Sequence, residues 1–505
     1  MLSRRDGIGE KDFIWQNLII FVLCLVCYSG SLLNNFMMDD FDLLPQIRSM
    51  KLDLSGLSLF THHLNGFFRP IPNIFLKIST LLFGLNPVYY HTLNLFLFFL
   101  ICSLFLVIGN KLFFLFLNEK KVEDAGRINK TVFFAVILYC VHPINNIIVN
   151  YITGSMLAVS VLINQMSYLN FLLYIEQKKK LNYVLSVFFY LCALFSHETS
   201  VILPIYMWLT YFYLKPGIKN VYSFFSPYLA CLILYIYIYL NISIRHHSLG
   251  ILFRIPFQNY ICCVSKLIHW YVLKLLLPVN LLFLWEVSVK NSCSPASLTA
   301  LFLMMGAVVA LFYFLISRKK QLELFCLSFF WAGFLPLFLA SFTYTSITAT
   351  ALIEPHWFYF SSIGFFFLAS ILFFYLFRNF NQYLRIAACL SLVIILVVLT
   401  KESNRVWKET ETYCRHWIKL DHFNFMPIYY MTKVQLKYPV IRECELGHSA
   451  KCEEFIHRFT DSSNDPYIYL QLIHAFLYIN APHTALDLRK QFIKRYPGFN
   501  GSVAP

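Results

Sequence analysis

Leu95-Phe96-Leu97-Phe98-Phe99-Leu100-Ile101-Cys102-Ser103-Leu104-Phe105-Leu106-Val107-Ile108 contains no charged residue and lies within a longer apolar stretch, residues 88–117. A run of roughly 18 or more apolar residues is long enough to cross the hydrocarbon core of a membrane as a helix, the local structure that satisfies its own backbone there. Comparable stretches recur on both sides, at 13–33, 131–150, 155–175, 182–196, 199–214, 223–242, 297–317, 322–342, 356–377 and 383–400. The expected fold is an all-α polytopic membrane bundle of about eleven transmembrane helices over residues 1–400. Composition points the same way: of 505 residues, 58% are hydrophobic, 18% aromatic and only 13% charged. That is too apolar for a soluble globule.

The formal net charge of +15 is informative through its placement, and it is not read as a nucleic-acid footprint. Arg4, Arg5 and Lys11 precede the first span, and Lys120, Lys121, Arg127 and Lys130 follow the second. Lys178 to Lys180, Lys215 with Lys219, Arg318 to Lys320, and Arg378 with Arg385 fill alternate later connections. The positive-inside rule makes these connections and the N-terminus cytoplasmic. The outer side then receives a first loop at 34–87, the turns at His142 and His197, a second large loop at 243–296, the segment after Thr343 and everything after Thr400. The first apolar segment lacks a small-residue cleavage site and is expected to stay as a signal anchor.

Within the second loop, residues 260–284 are apolar enough to span, yet spanning would move Arg318-Lys319-Lys320 to the outside. Lys266, Trp270 and Lys274 recur every four residues on one helical face, which suits an interfacial or re-entrant helix with its amines at phosphate level. A twelfth span is the competing reading. Most of the 14 cysteines fall in apolar segments, where they act as small buried hydrophobes. No CxxC spacing is read as a metal site, so none is expected, and a Cys444–Cys452 disulfide in the tail stays open.

After about residue 401 polar and charged positions return. Short helices are expected near 403–420, 424–438, 450–460, 466–480 and 482–496, divided by Pro427, Pro439, Pro466, Pro482 and Pro497. Asp465 to Pro497 is about one tetratricopeptide unit long, with Ala475, Tyr478 and Ala485 near the expected small and aromatic positions. Residues 401–505 are thus expected to form a small extracytoplasmic helical domain of tetratricopeptide-like character.

The chemistry-bearing residues gather in the outer connections. Asp39, Asp40 and Asp42 follow span one, where a carboxylate meets water and can act as general base while a lipid-linked leaving group lies in the membrane plane. Their blander role is to cap a helix end and orient the chain. The same loop carries His62, His63 and Arg69, and Pro70-Ile71-Pro72 is expected to hold Arg69 on extended backbone, suited to bidentate phosphate contact. His91 begins span two from outside, His142-Pro143 ends the third, and His197-Glu198 forms a further outer turn. For lone histidines at such depths a structural place at headgroup level is the common case.

In order along the chain stand Asp39-Asp40, Arg69-Pro70, Gly84-Leu85-Asn86-Pro87 to His91 and Asn94, His142-Pro143, Glu198, Trp357 to Gly364, and Asn404-Arg405-Val406-Trp407 with Glu411. This series resembles the transmembrane and tetratricopeptide-repeat O-mannosyltransferase-like proteins, within the GT-C glycosyltransferases that include the protein O-mannosyltransferases. The resemblance implies an enzyme that moves a sugar, such as a mannose-like hexose, from a polyprenyl-phosphate donor to a protein or glycan acceptor on the extracytoplasmic face, with inversion. It implies Asp39 as base with Asp40 as its partner. Arg69, with Lys266, Lys274 and His356, would hold the donor phosphate, and the tail would present the acceptor or hold a protein partner. His62, His63, His91, His142, His197, Glu198 and Glu354 complete the outer-face set. A bacterial inner membrane is favoured over the endoplasmic reticulum.

The chain departs from the family pattern at several places. Asn145, Asn146 and Ile147 follow His-Pro where charges are usual, and Gly154-Ser155-Met156-Leu157 stands where a Gly-Arg-Ala-acid motif is common. The turn before span six is His197-Glu198 in place of Lys-Glu, and His356 replaces an arginine before the Tyr359 motif, with Glu354 displaced. These changes keep two alternatives open: a catalytically degenerate membrane-anchored scaffold working through its tail, and a transporter or flippase. A transporter would more often carry ionisable groups at the midplane or duplicated halves, and neither is seen.

Overall fold

Apolar runs are helices throughout a computed structural model of the chain, which describes residues 10–50, 68–117, 122–217, 220–243, 255–289, 293–342, 350–421, 424, 426–445, 450–460, 466–479 and 481–497. In order come α1 (Glu10–Tyr28), α2 (Asp40–Ser49), α3 (Pro70–Phe83), α4 (Pro87–Leu117), α5 (Val122–Val141), α6 (Asn146–Asn150) and α7 (Ser155–Gln177). Then follow α8 (Lys180–Leu194), α9 (Leu203–Leu214), α10 (Val221–Ser243), α11 (Phe257–Leu276), β1 (Trp285–Ser288), α12 (Pro295–Ser317), α13 (Gln321–Ala332) and α14 (Leu337–Ala340). The chain continues through β2 (Thr350–Ile353), α15 (Tyr359–Leu376), α16 (Gln382–Asn404), α17 (Thr410–Leu420), α18 (Met426–Glu445), α19 (Ala450–Thr460), α20 (Pro466–Tyr478) and α21 (Pro482–Arg495). Among the described residues, 7 helices are long and apolar enough to cross a membrane, or 8 when one bent pair counts as a span. The protein is a multi-pass helical membrane protein.

Several of the eleven expected spans are shorter or broken. The stretch expected at 131–150 bends by 58° between α5 and the segment from Pro143 to Asn150, because Pro143 offers no N–H to continue the ladder. The stretch expected at 322–342 stops at Ala332, and Gly333 and Pro336 separate it from the four residues of α14. Helix α8 has 15 residues and α9 has 12, so at about 1.5 Å per residue each falls short of a hydrocarbon core roughly 30 Å thick.

One small sheet accompanies the helices among the described residues. Strands β1 and β2 pair antiparallel, Trp285 opposite Ile353 and Ser288 opposite Thr350. Four-residue strands separated by three helices carry too little alternation to be read locally. A disulfide joins Cys262, near the start of α11, to Cys293 before α12, across a separation of 31 residues. In the tail Cys452 is also disulfide-bonded, while the Cys444 side chain lies outside the described residues.

By contacts the chain forms two compact units, one of residues 1–32 and 43–404, the other of residues 33–42 and 405–505. In the first, small residues let helices approach closely, as expected where lipid offers no hydrophobic drive between helices. A Cβ on Gly364 of α15 would lie 2.8 Å from the Cys326 carbonyl oxygen of α13. The Ser167 and Ser186 hydroxyls each donate to the other residue's carbonyl, at 2.7 and 2.8 Å, locking α7 to α8. Aromatic rings fill the remaining space, with Tyr139 packed against Phe105 at 5.1 Å and Phe366 at 5.5 Å between centroids.

The second unit is held by amphipathic faces of the ordinary soluble kind. Tyr413, Cys414 and Trp417 are buried on α17, and Ala485, Leu488 and Phe492 on α21. Trp407 lies 4.4 Å from Tyr413 between ring centroids, so the start of the tail is anchored by its largest side chains. Burying an aromatic side chain of this size removes roughly 150–250 Å² from water.

Candidate functional site

Arg69 immediately precedes α3, whose first residue is Pro70. The extended segment expected after Arg69 is therefore the first turn of a helix. A proline at N1 has a preset φ and gives up only an N–H that the helix would leave unsatisfied. The Arg69 guanidinium reaches across 129 residues to Glu198, with Nε 3.0 Å and Nη2 2.7 Å from Oε2. Their side chains are 17% and 25% exposed, so the pair is partly screened by solvent.

His197 is buried beside this pair. Its Nδ1 accepts a hydrogen bond from the Thr199 N–H at 3.2 Å, capping the short turn from Glu198 to Ile202. In the neutral ring that leaves the proton on Nε2, a buried atom with no hydrogen-bond partner among the described residues. His356 lies with its ring centroid 6.2 Å from that of His197 and stacks on Phe283. Its Nε2 is 2.9 Å from the Glu354 carboxylate, and its Nδ1 is likewise buried without a partner among the described residues. The Tyr271 hydroxyl donates to the Glu354 backbone carbonyl, which fixes the end of β2 from α11.

Within the first unit, then, Arg69, His197, Glu198, Glu354 and His356 form one polar cluster from three distant parts of the chain. His356 and Thr199 also line a cleft with Ser160, Asn164 and Ser361. The Asn164 amide donates to the Ser200 hydroxyl at 2.9 Å, polar lining that the sequence reading did not single out. A helix rich in Leu and Ser shows no outward sign of which polar positions turn inward.

Burial, the Arg69 charge and His356 together hold the His197 pKa well below its ordinary value. The folded protein therefore refuses a proton that the unfolded chain accepts once pH falls below about 6.5, and stability drops on that side by about 1.4 kcal/mol per pH unit. His197→Asn keeps a capping acceptor but removes the titration. It is expected to flatten the acid side of the thermal-unfolding profile between about pH 6.5 and 5, and an unchanged slope would assign the acid sensitivity to other groups.

The other sequence-derived residues are distributed as follows. His142 is fully used in structure: Nδ1 accepts from the Ile144 N–H, and Nε2 is 3.2 Å from the Leu275 carbonyl, tying the break after α5 to the end of α11. His91 is buried with Nδ1 3.2 Å from the Val149 carbonyl of α6, and the Asn94 amide donates to the Tyr151 carbonyl at 2.8 Å. Lys274 donates to the Val279 carbonyl at 2.7 Å and sits 5.5 Å from the Trp285 ring, while Lys266 lies two turns earlier on α11. Burial lowers the Lys274 pKa. His62 and His63 lie outside the described residues. Sequence reading also passed over the ion pair between Lys111 of α4 and Glu176 of α7, at 2.7 Å.

Asp39, Asp40 and Asp42 belong to the second unit. The segment carrying them is pinned to the start of the tail: the Asn35 N–H donates to the Lys408 carbonyl at 3.1 Å and the Met38 N–H to the Thr410 hydroxyl at 3.3 Å. Met38 is buried with φ of 43°, a left-handed conformation unusual for a side chain of this length, and it turns the chain directly into Asp39. Asp40 is 1% exposed, and its carboxylate accepts from the Met37 N–H at 2.9 Å, so it braces that turn.

Asp39 receives the Tyr430 hydroxyl at 3.3 Å and lies 3.7 Å from Lys433 Nζ, which also pairs with Asp42. Burial works against the Lys433 charge, but Asp39, Tyr429 and Asp42 hold its pKa above the usual lysine range. Lys433 and Tyr430 are partners that no local pattern could reveal. Asp39 itself remains 29% exposed at its side chain, enough to meet a molecule from solution.

Comparison of the chain with protein-family models, with curated proteins and with solved structures returns no match.

Proposed function

We propose that the protein is an integral-membrane glycosyltransferase that moves a sugar, a mannose-like hexose among the candidates, from a polyprenyl-phosphate donor to a protein or glycan acceptor on the extracytoplasmic face. In this reading the acceptor hydroxyl or amide attacks the anomeric carbon and gives its proton to Asp39. The bond from that carbon to the phosphate oxygen breaks with inversion, and the polyprenyl phosphate leaves with the electron pair. Asp40 serves by bracing the turn that presents Asp39.

The observation that carries the proposal is the fixed Arg69 guanidinium, oriented by Glu198 next to His197, whose Nε2, like the Nδ1 of neighbouring His356, is buried without a partner among the described residues. Arginine in such a place suits a phosphate ester, which would compete with Glu198 for the same donors. The neutral His197 would donate from Nε2, and His356 would complete the contact. Lys274 and Lys266 would stand at headgroup level on α11. The Cys262–Cys293 disulfide supports an oxidising, extracytoplasmic location for the loop containing α11, since such bonds persist in the periplasm or the lumen of the endoplasmic reticulum. A bacterial inner membrane is the favoured setting, with a cytoplasmic N-terminus and a periplasmic tail of tetratricopeptide-like character.

The test is transfer of labelled sugar from a panel of polyprenyl-phosphate sugars by the purified protein in lipid. Incorporation names the donor; failure with every donor moves the weight to the second reading, a membrane-anchored scaffold that works through its tail. That reading is favoured by the engagement of Asp39 with Lys433 and Tyr430, which gives the carboxylate a structural role in the tail unit. Sidedness is tested separately. Lys490 is exposed on α21, and a cysteine placed there is expected to react with a membrane-impermeant maleimide in intact spheroplasts. Labelling only after lysis would reverse the topology.

A further inference from the structure

Three thiols meet where α1, α4 and α5 pack together inside the membrane bundle. Cys24, Cys102 and Cys140 are each fully buried, and their sulfur atoms all lie within 4.8 Å of one another. Cys24 and Cys140 are in direct contact, with sulfurs 3.5 Å apart across 116 residues. On the same three helices Tyr28 packs against Phe98, at 5.4 Å between centroids, and Tyr139 against Phe98 and Phe105.

We propose that Cys24, Cys102 and Cys140 form a trigonal binding site for a soft monovalent cation, cuprous copper. With metal–sulfur bonds of about 2.3 Å, three coplanar sulfurs stand about 4.0 Å apart, so the thiols need only small side-chain adjustments to meet one ion. The donor set selects the metal. Zinc in a structural site takes four ligands in a tetrahedron, whereas three sulfurs with no histidine or carboxylate completing the group among the described residues suit soft cuprous copper.

On binding, each ligating S–H bond breaks, its proton leaves to solvent and the thiolate forms a copper–sulfur bond; no electron is transferred. The ordinary alternative is that the three side chains are small hydrophobes that happen to touch.

The full chain, purified with its thiols reduced and kept anaerobic in detergent, is titrated with cuprous copper against a chromogenic chelator. One copper per chain is expected to be retained, with X-ray absorption showing three sulfur neighbours at about 2.3 Å. Cys102→Ser and Cys140→Ala are each expected to weaken retention at least about tenfold, while Cys326→Ser and Cys389→Ser leave it unchanged. Equal retention by the Cys102→Ser protein, no retention by wild type, or nitrogen and oxygen neighbours at the copper would each overturn the site. The absorption measurement on wild type decides the matter even where a variant fails to fold.

Discussion

Asp39→Asn is expected to lower sugar transfer by about 10²- to 10⁴-fold, the usual contribution of a positioned general base. The substitution keeps shape and an acceptor for the Tyr430 hydroxyl while removing the carboxylate that takes the proton in the proposed reaction. Lys433 keeps its pairing with Asp42, so the tail unit is expected to stay folded and the loss to appear in turnover. Normal turnover of labelled donor by this variant would remove Asp39 from the mechanism. A companion variant sharpens the result: Lys433→Met takes a positive charge from beside Asp39 and raises the carboxylate's pKa. If Asp39 is the base, the acid limb of the pH–rate profile moves to higher pH; if Asp39 only holds the tail, the limb stays in place.

Arg69→Ala is expected to have the next largest effect, on both stability and transfer. It leaves the Glu198 carboxylate without its guanidinium at a position only 25% exposed. Losing one partner of a fully buried pair costs about 3–5 kcal/mol, and partial exposure brings this pair below that range. Arg69→Ala with Glu198→Gln removes the stranded charge and is expected to recover thermal stability. Transfer is not expected to return with it, because a phosphate would still lack its bidentate donor. A double variant that regains full transfer would make Arg69 a structural residue. Arg69→Lys is expected to restore only part of the activity, since an ammonium cannot match the planar fork.

The apolar runs were readable because a membrane helix writes its length directly into composition, as in residues 95–108. The tail helices were readable for a related reason: Pro466 and Pro482 mark starts where proline is tolerated, and buried positions such as Ala485, Leu488 and Phe492 keep helical spacing. Breaks inside spans were harder to see, because hydropathy averages over a kink at His142-Pro143 and over Gly333 and Pro336. Pairings were not readable at all. Arg69 with Glu198, Cys262 with Cys293, β1 with β2, and Asp39 with Lys433 are all set by how distant segments pack, and no short window records that. The proline after Arg69 shows how one residue type supports two local readings, extended chain or helix start, until its neighbours settle which.

Residues 33–42 and 405–505 make one compact unit from the two sides of the bundle in chain order, so that unit is finished last during synthesis. Asp39 leaves the ribosome 391 residues ahead of Tyr430. At about 5–20 residues per second, the delay is on the order of 20 to 80 s. Through that interval every membrane helix after α1 is made and inserted while the acidic segment waits for the residues that will fix it. A chain stopped just short of residue 405 would therefore contain the entire bundle and the whole Asp39 segment, yet would lack Lys433 and Tyr430, and the geometry around that carboxylate would never be completed.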